Sequence, residues 1–187
     1  PYQRMTLCSD ASASTTAKSL MQSEGTAVRP YIPSSRIFII GATHIAQAFV
    51  SMAQVLDYEL RVIDPRSIFL EKQRWSDICR VSDFPDEYLA SQTLGATDAI
   101  LALSHNPIFD DPALYLAVKA KAFYIGALGS RRNHQKRCSR LEQLGCSKEE
   151  VNRISGPIGL DIGAQTPAEI AVSILAELIQ HQRMLLR

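Results

Sequence analysis

The sequence has few cysteines and no excess of charge of either sign. Its four cysteines are Cys8, Cys79, Cys138 and Cys146, and they show neither CxxC spacing nor the Cys/His pattern of a metal site. A disulfide scaffold is therefore not expected, and reduced thiols in a cytosol are the simplest interpretation. Twenty Lys and Arg residues against nineteen Asp and Glu leave a net charge of +1. Such a balance creates no global field that would attract nucleic acid.

Long hydrophobic runs are also missing. No stretch approaches the ~20 apolar residues of a membrane-spanning helix, and the N-terminus lacks the apolar segment of a signal peptide. We therefore expect a cytoplasmic protein with no membrane partner. Because the chain begins with Pro1 rather than methionine, we also expect it to be a piece of a longer protein.

Residues 1–35 differ in composition from the rest of the chain. They contain seven serines and four threonines and few large aliphatic residues, so they cannot offset the entropy of ordering by burial. This segment is predicted to be a disordered or extended tail or linker. Residues 36–187 are predicted to form the folded domain.

Short apolar runs alternate with helical patterns over residues 36–187. Strands are predicted over 36–41, 59–64, 78–83, 98–105 and 122–127, and helices over 44–56, 85–92, 111–120, 130–144, 147–154 and from Thr166 onward. This alternation predicts an α/β fold with a doubly wound, mostly parallel sheet, a Rossmann-like three-layer αβα architecture. Ligands are expected at the carboxyl ends of the strands, near the point where the strand order reverses.

The first strand-to-helix turn reads GATHIA. Gly41 and Ala46 fit the dinucleotide fingerprint G-x-G-x-x-G/A, but Thr43 replaces the glycine that usually lies against the pyrophosphate. Asp64, 23 residues after Gly41, stands where an acidic residue takes a ribose hydroxyl, whereas the adjacent Arg66 suits a phosphate. Tight strand-to-helix packing explains the same turn equally well.

Two histidines are expected at the same rim of the sheet. His44 lies in the first turn, and His105 follows the fourth strand in SHNPIFDD. Imidazoles there suit phosphate or pterin binding, acid–base chemistry, or metal ligation with Asp110 or Asp111. Without close ligand spacing we predict no metal site, and Asn106 and the aspartates equally suit a turn and a helix cap.

The segment GALGSRR gives the strongest anion-binding signal in the sequence. Gly126 and Gly129 allow close backbone approach, and Ser130 opens a helix with free N–H groups. Arg131 and Arg132 add donors that match phosphate, in a first turn where cations are unfavourable unless an anion is present.

Later residues carry weaker signals. Lys136, Arg137 and Arg140 continue the basic stripe and are predicted to be an ordinary solvated helix face. Asp161, in the glycine-rich GPIGLDIGAQTP, suits ligand amines and loop backbone equally. In the last helix the apolar residues Ile170, Ile174, Leu178 and Leu185 suit packing on the sheet or pairing with a second copy, and a homodimer is expected.

Five motifs together resemble the C-terminal Rossmann-type domain of the XdhC/CoxI family, the xanthine dehydrogenase accessory proteins. They are GATHIAQA, VIDPR, SHNPIFDDPAL, FYIGALGSRRNHQKR and PIGLDIGAQTPAEIAVSILAE, and the resemblance covers about residues 36–182. It implies binding of molybdenum cofactor (molybdopterin) as cargo and its delivery to a molybdenum hydroxylase such as xanthine dehydrogenase, with a cysteine desulfurase as a further candidate partner. Carried over by position, the residues to test are Gly41, His44, Asp64, His105, Gly126, Ser130, Arg131, Arg132 and Asp161.

Two departures from the family pattern bear on function. The family usually reads GAGH where this chain has GATH, and residues 1–35 contain no counterpart of the family's smaller N-terminal domain. A cofactor chaperone is the favoured function, and no catalytic residue is assigned. The alternative is an NAD(P)-binding oxidoreductase that uses the degenerate GxTxxA turn, with His105 as acid or base. A third hypothesis is a domain that only docks partner proteins.

Overall fold

The structure is a computed structural model, and it describes residues 35–71, 75 and 78–185. The predicted tail lies outside the described residues, apart from Ser35. The strands are β1 (Arg36–Ile40), β2 (Glu59–Ile63), β3 (Cys79–Val81), β4 (Asp98–Ala102), β5 (Tyr124–Ala127) and β6 (Ile154–Ser155). The α-helices are α1 (His44–Ala53), α2 (Pro85–Ala90), α3 (Pro107–Lys119), α4 (Arg131–Gln143), α5 (Lys148–Val151) and α6 (Pro167–Leu185).

The six strands form one sheet in the order β3-β2-β1-β4-β5-β6. Every neighbouring pair is parallel. Strand β1 lies in the middle, with Arg36 opposite Glu59 of β2 on one side and Asp98 of β4 on the other. The strand order reverses between β1 and β4. The predicted doubly wound, Rossmann-like α/β fold is thereby confirmed.

Both faces of the sheet are covered, which explains why the strands read as apolar runs rather than as alternating patterns. In β1, Ile37 and Ile39 belong to a core shared with α1 and α6. Phe38 and Ile40 point the other way, into a core shared with α2, α3 and α4. All four side chains are fully buried. The three layers follow from these two cores.

Helix α6 packs within its own domain. Its buried residues Ala171, Ile174 and Leu178 belong to the core shared with α1. A capping box starts the helix, because Glu169 N–H donates to Thr166 Oγ1 at 3.3 Å and Thr166 N–H donates to the Glu169 carboxylate at 2.9 Å. Of the predicted apolar stripe, Ile174 and Leu178 are thus buried in the domain core and Ile170 packs against it, whereas Leu185 is exposed.

Two elements differ from the sequence predictions. Helix α3 begins at Pro107 rather than Asp111, because Asn106 supplies the N-cap and Pro107 takes the first helical position. The predicted helix over 147–154 ends at Val151, and Ile154 instead starts β6, which pairs with β5 through two residues.

Strands β3 and β6, with three and two residues, form the two edges of the sheet. Within the described residues, no helix is long and apolar enough to cross a membrane.

Candidate functional site

The turn after β1 is closed tightly against the end of β4. Gly41 has a φ of +97°, and a Cβ added there would lie 2.6 Å from Ser104 Cα. Thr43 has an extended backbone and caps α1 by accepting a hydrogen bond from Ala46 N–H at 3.3 Å. His44 is the exposed first residue of α1. Gly41 therefore allows the two turns to pack closely, and Thr43 caps the N-terminus of α1.

Asp64 ends β2, and its carboxylate is already occupied. The residue is fully buried. Oδ2 accepts from Ala42 N–H at 2.9 Å, and the Arg66 guanidinium donates to both oxygens at 2.8 Å. Burial raises the pKa of Asp64, but the bonds from Arg66 and Ala42 outweigh it and leave the pKa below its ordinary value. To accept a ribose hydroxyl, Asp64 would have to release some of these donors. This geometry supports the tight-packing interpretation of the turn.

The turn after β4 presents one histidine and buries two aspartates. His105 is exposed and has a φ of +61°. Asn106 caps α3 by accepting from Ile108 N–H at 3.0 Å. Asp110 is fully buried, and its Oδ1 accepts from Ser104 Oγ at 2.7 Å. Burial raises the pKa of Asp110, although the Ser104 bonds and the Arg137 charge oppose it. Among the described residues, no group of three or more His, Cys, Asp and Glu side chains could hold a metal ion.

The two glycines of GALGSRR have different surroundings. Gly126 is buried within β5, and a Cβ added there would lie 2.4 Å from Ile158 Cδ1. The missing side chain at Gly126 therefore makes room for a core residue. Gly129 has a φ of +141°, and an added Cβ would meet nothing nearer than Asn133 Cβ at 3.5 Å. Of the two, Gly129 lies at the open rim.

The start of α4, where the sequence predicts an anion cradle, is open to solvent. Ser130 caps α4 by accepting from Asn133 N–H at 3.2 Å. Arg131 and Arg132 are exposed, and Arg131 lies 3.6 Å from Asp161, the two side chains being 84% and 89% exposed. An ion pair this exposed contributes little to stability. The structure therefore brings Asp161 to the start of α4 and leaves both arginines accessible.

A hydrogen-bond network between β5 and α6 holds the glycine-rich loop. Glu177 of α6 accepts from the hydroxyl of Tyr124 and from Gly159 N–H at 2.7 Å. Gly159 has a φ of +94°, and an added Cβ would lie 2.3 Å from Ser173 Oγ. Burial and Glu177 raise the pKa of Tyr124, so its hydroxyl stays protonated and donates. This network fixes the loop that carries Asp161.

Replacing Tyr124 by phenylalanine is expected to lower the free energy of unfolding by about 1 kcal/mol, the usual effect of losing one buried hydrogen bond. Amide exchange of Gly159 should become faster, because Glu177 loses one of its two donors. Urea unfolding and hydrogen exchange measure the two effects. Tyr115→Phe is the control, since the Tyr115 hydroxyl makes no hydrogen bond to the described residues. Equal stability of the two variants would contradict the network's role.

The basic stripe of α4 is not the solvated face that the sequence predicts. Lys136 is exposed, but Arg137 is only 6% exposed. Its Nη2 donates to Leu128 O at 3.0 Å and lies 3.8 Å from Asp110 Oδ2. Arg140 makes two hydrogen bonds to Asp111. The solvated-face prediction is therefore wrong for Arg137 and Arg140, because the buried aspartates of α3 face them.

A polar cavity of about 250 Å³ lies at the carboxyl ends of β4 and β5, between the starts of α3 and α4. It is lined by His105, Pro107, Leu128, Gly129, Asn133, Lys136, Arg137 and Arg140. Two of the predicted site residues, His105 and Gly129, are thus brought together with cationic residues that the sequence pattern assigns to a solvated face. The cavity has three cationic side chains and no acidic one in its lining.

Sequence comparisons place this architecture among known proteins. Residues 37–178 match the family described as the XdhC Rossmann domain. The chain is 33% identical over 145 residues to the molybdenum cofactor insertion chaperone PaoD of Escherichia coli K12, a match covering 78% of this chain and 39% of PaoD. It is 26% identical over 152 residues to a probable xanthine dehydrogenase component of Bacillus subtilis 168, covering 81% of this chain and 44% of that protein.

Structure comparison gives a consistent result. A crystal structure of a xanthine dehydrogenase from Bacillus halodurans superposes with a TM-score of 0.71 and 32% sequence identity, over 82% of this chain and 44% of that one. The chain spans less than half the length of the curated relatives it matches. The family match over residues 37–178 includes every residue that lines the cavity.

Proposed function

The chain belongs to the family of XdhC Rossmann domains, and from that premise we propose that it binds molybdenum cofactor in the maturation of a xanthine dehydrogenase-type molybdenum hydroxylase. The observation that carries the proposal is the similarity to a molybdenum cofactor insertion chaperone over 78% of the chain. This role requires binding and release of a cargo, so no bond has to form or break in this domain.

The rim between β4 and β5 suits such a cargo. Molybdopterin has a polar ring system and a terminal phosphate, which would bind beside the start of α4, with Ser130, Arg131 and Arg132 at the entrance of the site. His105 borders the same cavity, and we place the remainder of the cofactor on that side, toward His44. The partner to receive the cofactor is the apoenzyme of a molybdenum hydroxylase.

The dinucleotide alternative has less support from the geometry. An NAD(P) site in the first turn would need Asp64 to accept a ribose hydroxyl. Its carboxylate instead accepts hydrogen bonds from Ala42 and Arg66. The alternative is retained as an outcome of the binding experiment that follows.

Molybdenum cofactor released anaerobically is expected to bind the purified chain saturably, and NADH or NADPH should not displace it. Arg131→Ala should weaken binding by about twofold to tenfold, because an exposed charge at a phosphate contributes roughly 0.5 to 1.4 kcal/mol. Fluorescence-detected equilibrium binding measures both effects. Lys148→Ala, which removes an exposed cation beyond the other end of α4, should leave binding unchanged.

Other outcomes would overturn the proposal. Binding of NADPH without binding of molybdenum cofactor would support the oxidoreductase alternative for this domain. Binding of neither ligand would leave a domain that only docks partner proteins.

A further inference from the structure

The cavity between α3 and α4 contains a buried cation with unused donors. Arg137 lines the cavity and is 6% exposed, yet its Nε and Nη1 atoms have no hydrogen-bond partner among the described residues. A buried guanidinium that leaves N–H groups unpaired is costly, because those groups lose water and gain nothing in return. The site therefore suits a ligand that accepts hydrogen bonds.

The acidic neighbours of Arg137 do not use these donors. Its Nε lies 3.7 Å from Asp111 Oδ1, and its Nη2 lies 3.8 Å from Asp110 Oδ2, both beyond hydrogen-bond distance. Asp111 is bound by Arg140, and Asp110 Oδ1 is bound by Ser104. The carboxylates thus orient Arg137 by charge, and its Nε and Nη1 remain without a hydrogen bond among the described residues.

The charge of the lining and the volume of the cavity indicate which ligand the cavity suits. Lys136 and Arg140 add two cations to its lining, and the N-terminal end of α4 adds a partial positive charge. Asp110 and Asp111 lie behind the lining. When their charges are included, three cationic side chains still outnumber two carboxylates. A volume of about 250 Å³ exceeds that of a water molecule by several-fold and accommodates a tetrahedral oxyanion.

We infer that this cavity binds the phosphate group of a phosphate monoester, with Arg137 as its buried anchor, Lys136 as a second cation and Gly129 as the open backbone beside it. Arg131 and Arg132 then lie outside the cavity, at its exposed approach. The inference rests on the proposed function only for the molecule that carries the phosphate, which would be the pterin cargo. The phosphate site itself stands on the geometry of this chain.

Inorganic phosphate is the probe that tests the site directly. Titration of the full chain at constant ionic strength, followed by isothermal calorimetry and by ¹⁵N amide shifts, is expected to show saturable binding with shifts at Gly129 and Asn133. Arg137→Lys keeps a cation opposite Asp110 and Asp111 but lacks the guanidinium fork, and it should bind phosphate about tenfold more weakly. Sodium chloride at the same ionic strength should not produce these shifts.

Two further variants keep the test decisive if Arg137→Lys unfolds. Lys136→Ala changes an exposed residue of the lining and should weaken phosphate binding severalfold without loss of thermal stability. Lys148→Ala removes the same charge away from the cavity and should bind like the original chain. Phosphate binding that is unchanged in Lys136→Ala, or that chloride reproduces, would overturn the inference.

Comparison with cofactor binding separates this inference from the proposed function. If phosphate binds through Arg137 but molybdenum cofactor does not bind, the anion site stands and the proposed function fails. If cofactor binds equally well to the Arg137→Lys and Lys136→Ala variants and phosphate does not bind, the function stands and the anion site fails.

Discussion

Gly41→Ala is expected to lower the free energy of unfolding by about 2 to 5 kcal/mol, a reduction in the midpoint temperature of roughly 5 to 15 °C. Two effects combine. The φ of +97° places an alanine in a strained backbone conformation, and the new Cβ would lie 2.6 Å from Ser104 Cα and 2.8 Å from Ser104 N. Because the nearest atoms are Ser104 Cα, Cβ and N, whose positions the backbone fixes, no side-chain rotation relieves the contact.

Thermal and urea unfolding measure the effect, with Gly95→Ala as the matched control. Gly95 has no positive φ, and an added Cβ meets nothing within 4 Å. The control should therefore change stability by no more than about 0.5 kcal/mol. If both variants lose the same stability, the turns after β1 and β4 are not in the tight contact described above.

Asp64→Asn is expected to lower the free energy of unfolding by about 2 to 4 kcal/mol at neutral pH. An asparagine has the same shape, but it loses the charge-assisted bonds to the Arg66 guanidinium. Its amide NH₂ would also face donors, either Ala42 N–H or Arg66. Because these donors close the first turn, we expect the start of α1 to loosen as well.

The pH dependence of this effect has a defined sign. The pKa of Asp64 is below its ordinary value in the folded protein, so its stabilising contribution is complete above the unfolded pKa of about 4 and is lost as the pH falls through the folded value. The difference in the free energy of unfolding between the original chain and Asp64→Asn should therefore become smaller in acid. Urea unfolding at about pH 7 and pH 3 measures it.

Asp57→Asn is the control for Asp64→Asn. Asp57 is exposed and has a φ of +56°, a conformation that asparagine tolerates well. It should show no comparable loss of stability. If the original chain and Asp64→Asn differ in stability by the same amount at about pH 7 and pH 3, the lowered pKa is not due to the ion pair between Asp64 and Arg66.

Most of the fold could be predicted from the sequence because its signals are local. Strand β1 is an apolar run that closes on glycine, and α6 begins with the capping box of Thr166 and Glu169. Strand β6 has only two residues, and a pairing that short leaves no periodicity to detect. Its existence depends on β5 lying beside it, which is tertiary information.

The candidate site could be predicted only in part, for a similar reason. The cap at Ser130 and the exposed Arg131 are local features of GALGSRR. The burial of Arg137 depends on Asp110, which is 27 positions away in the sequence. One signal was available: Arg137 stands four residues before Leu141, on the inward face of a helix with few apolar residues.

The length of the sheet edges determines how this domain can meet other proteins. The outermost strands β3 and β6 contribute three and two residues, so each edge of the described sheet offers very few backbone groups to an added strand. Growth of the sheet by strand addition, whether from a partner protein or in aggregation, is disfavoured for that reason. Any protein that binds this domain would then have to contact helices and loops, from which it can be released without disturbing the sheet.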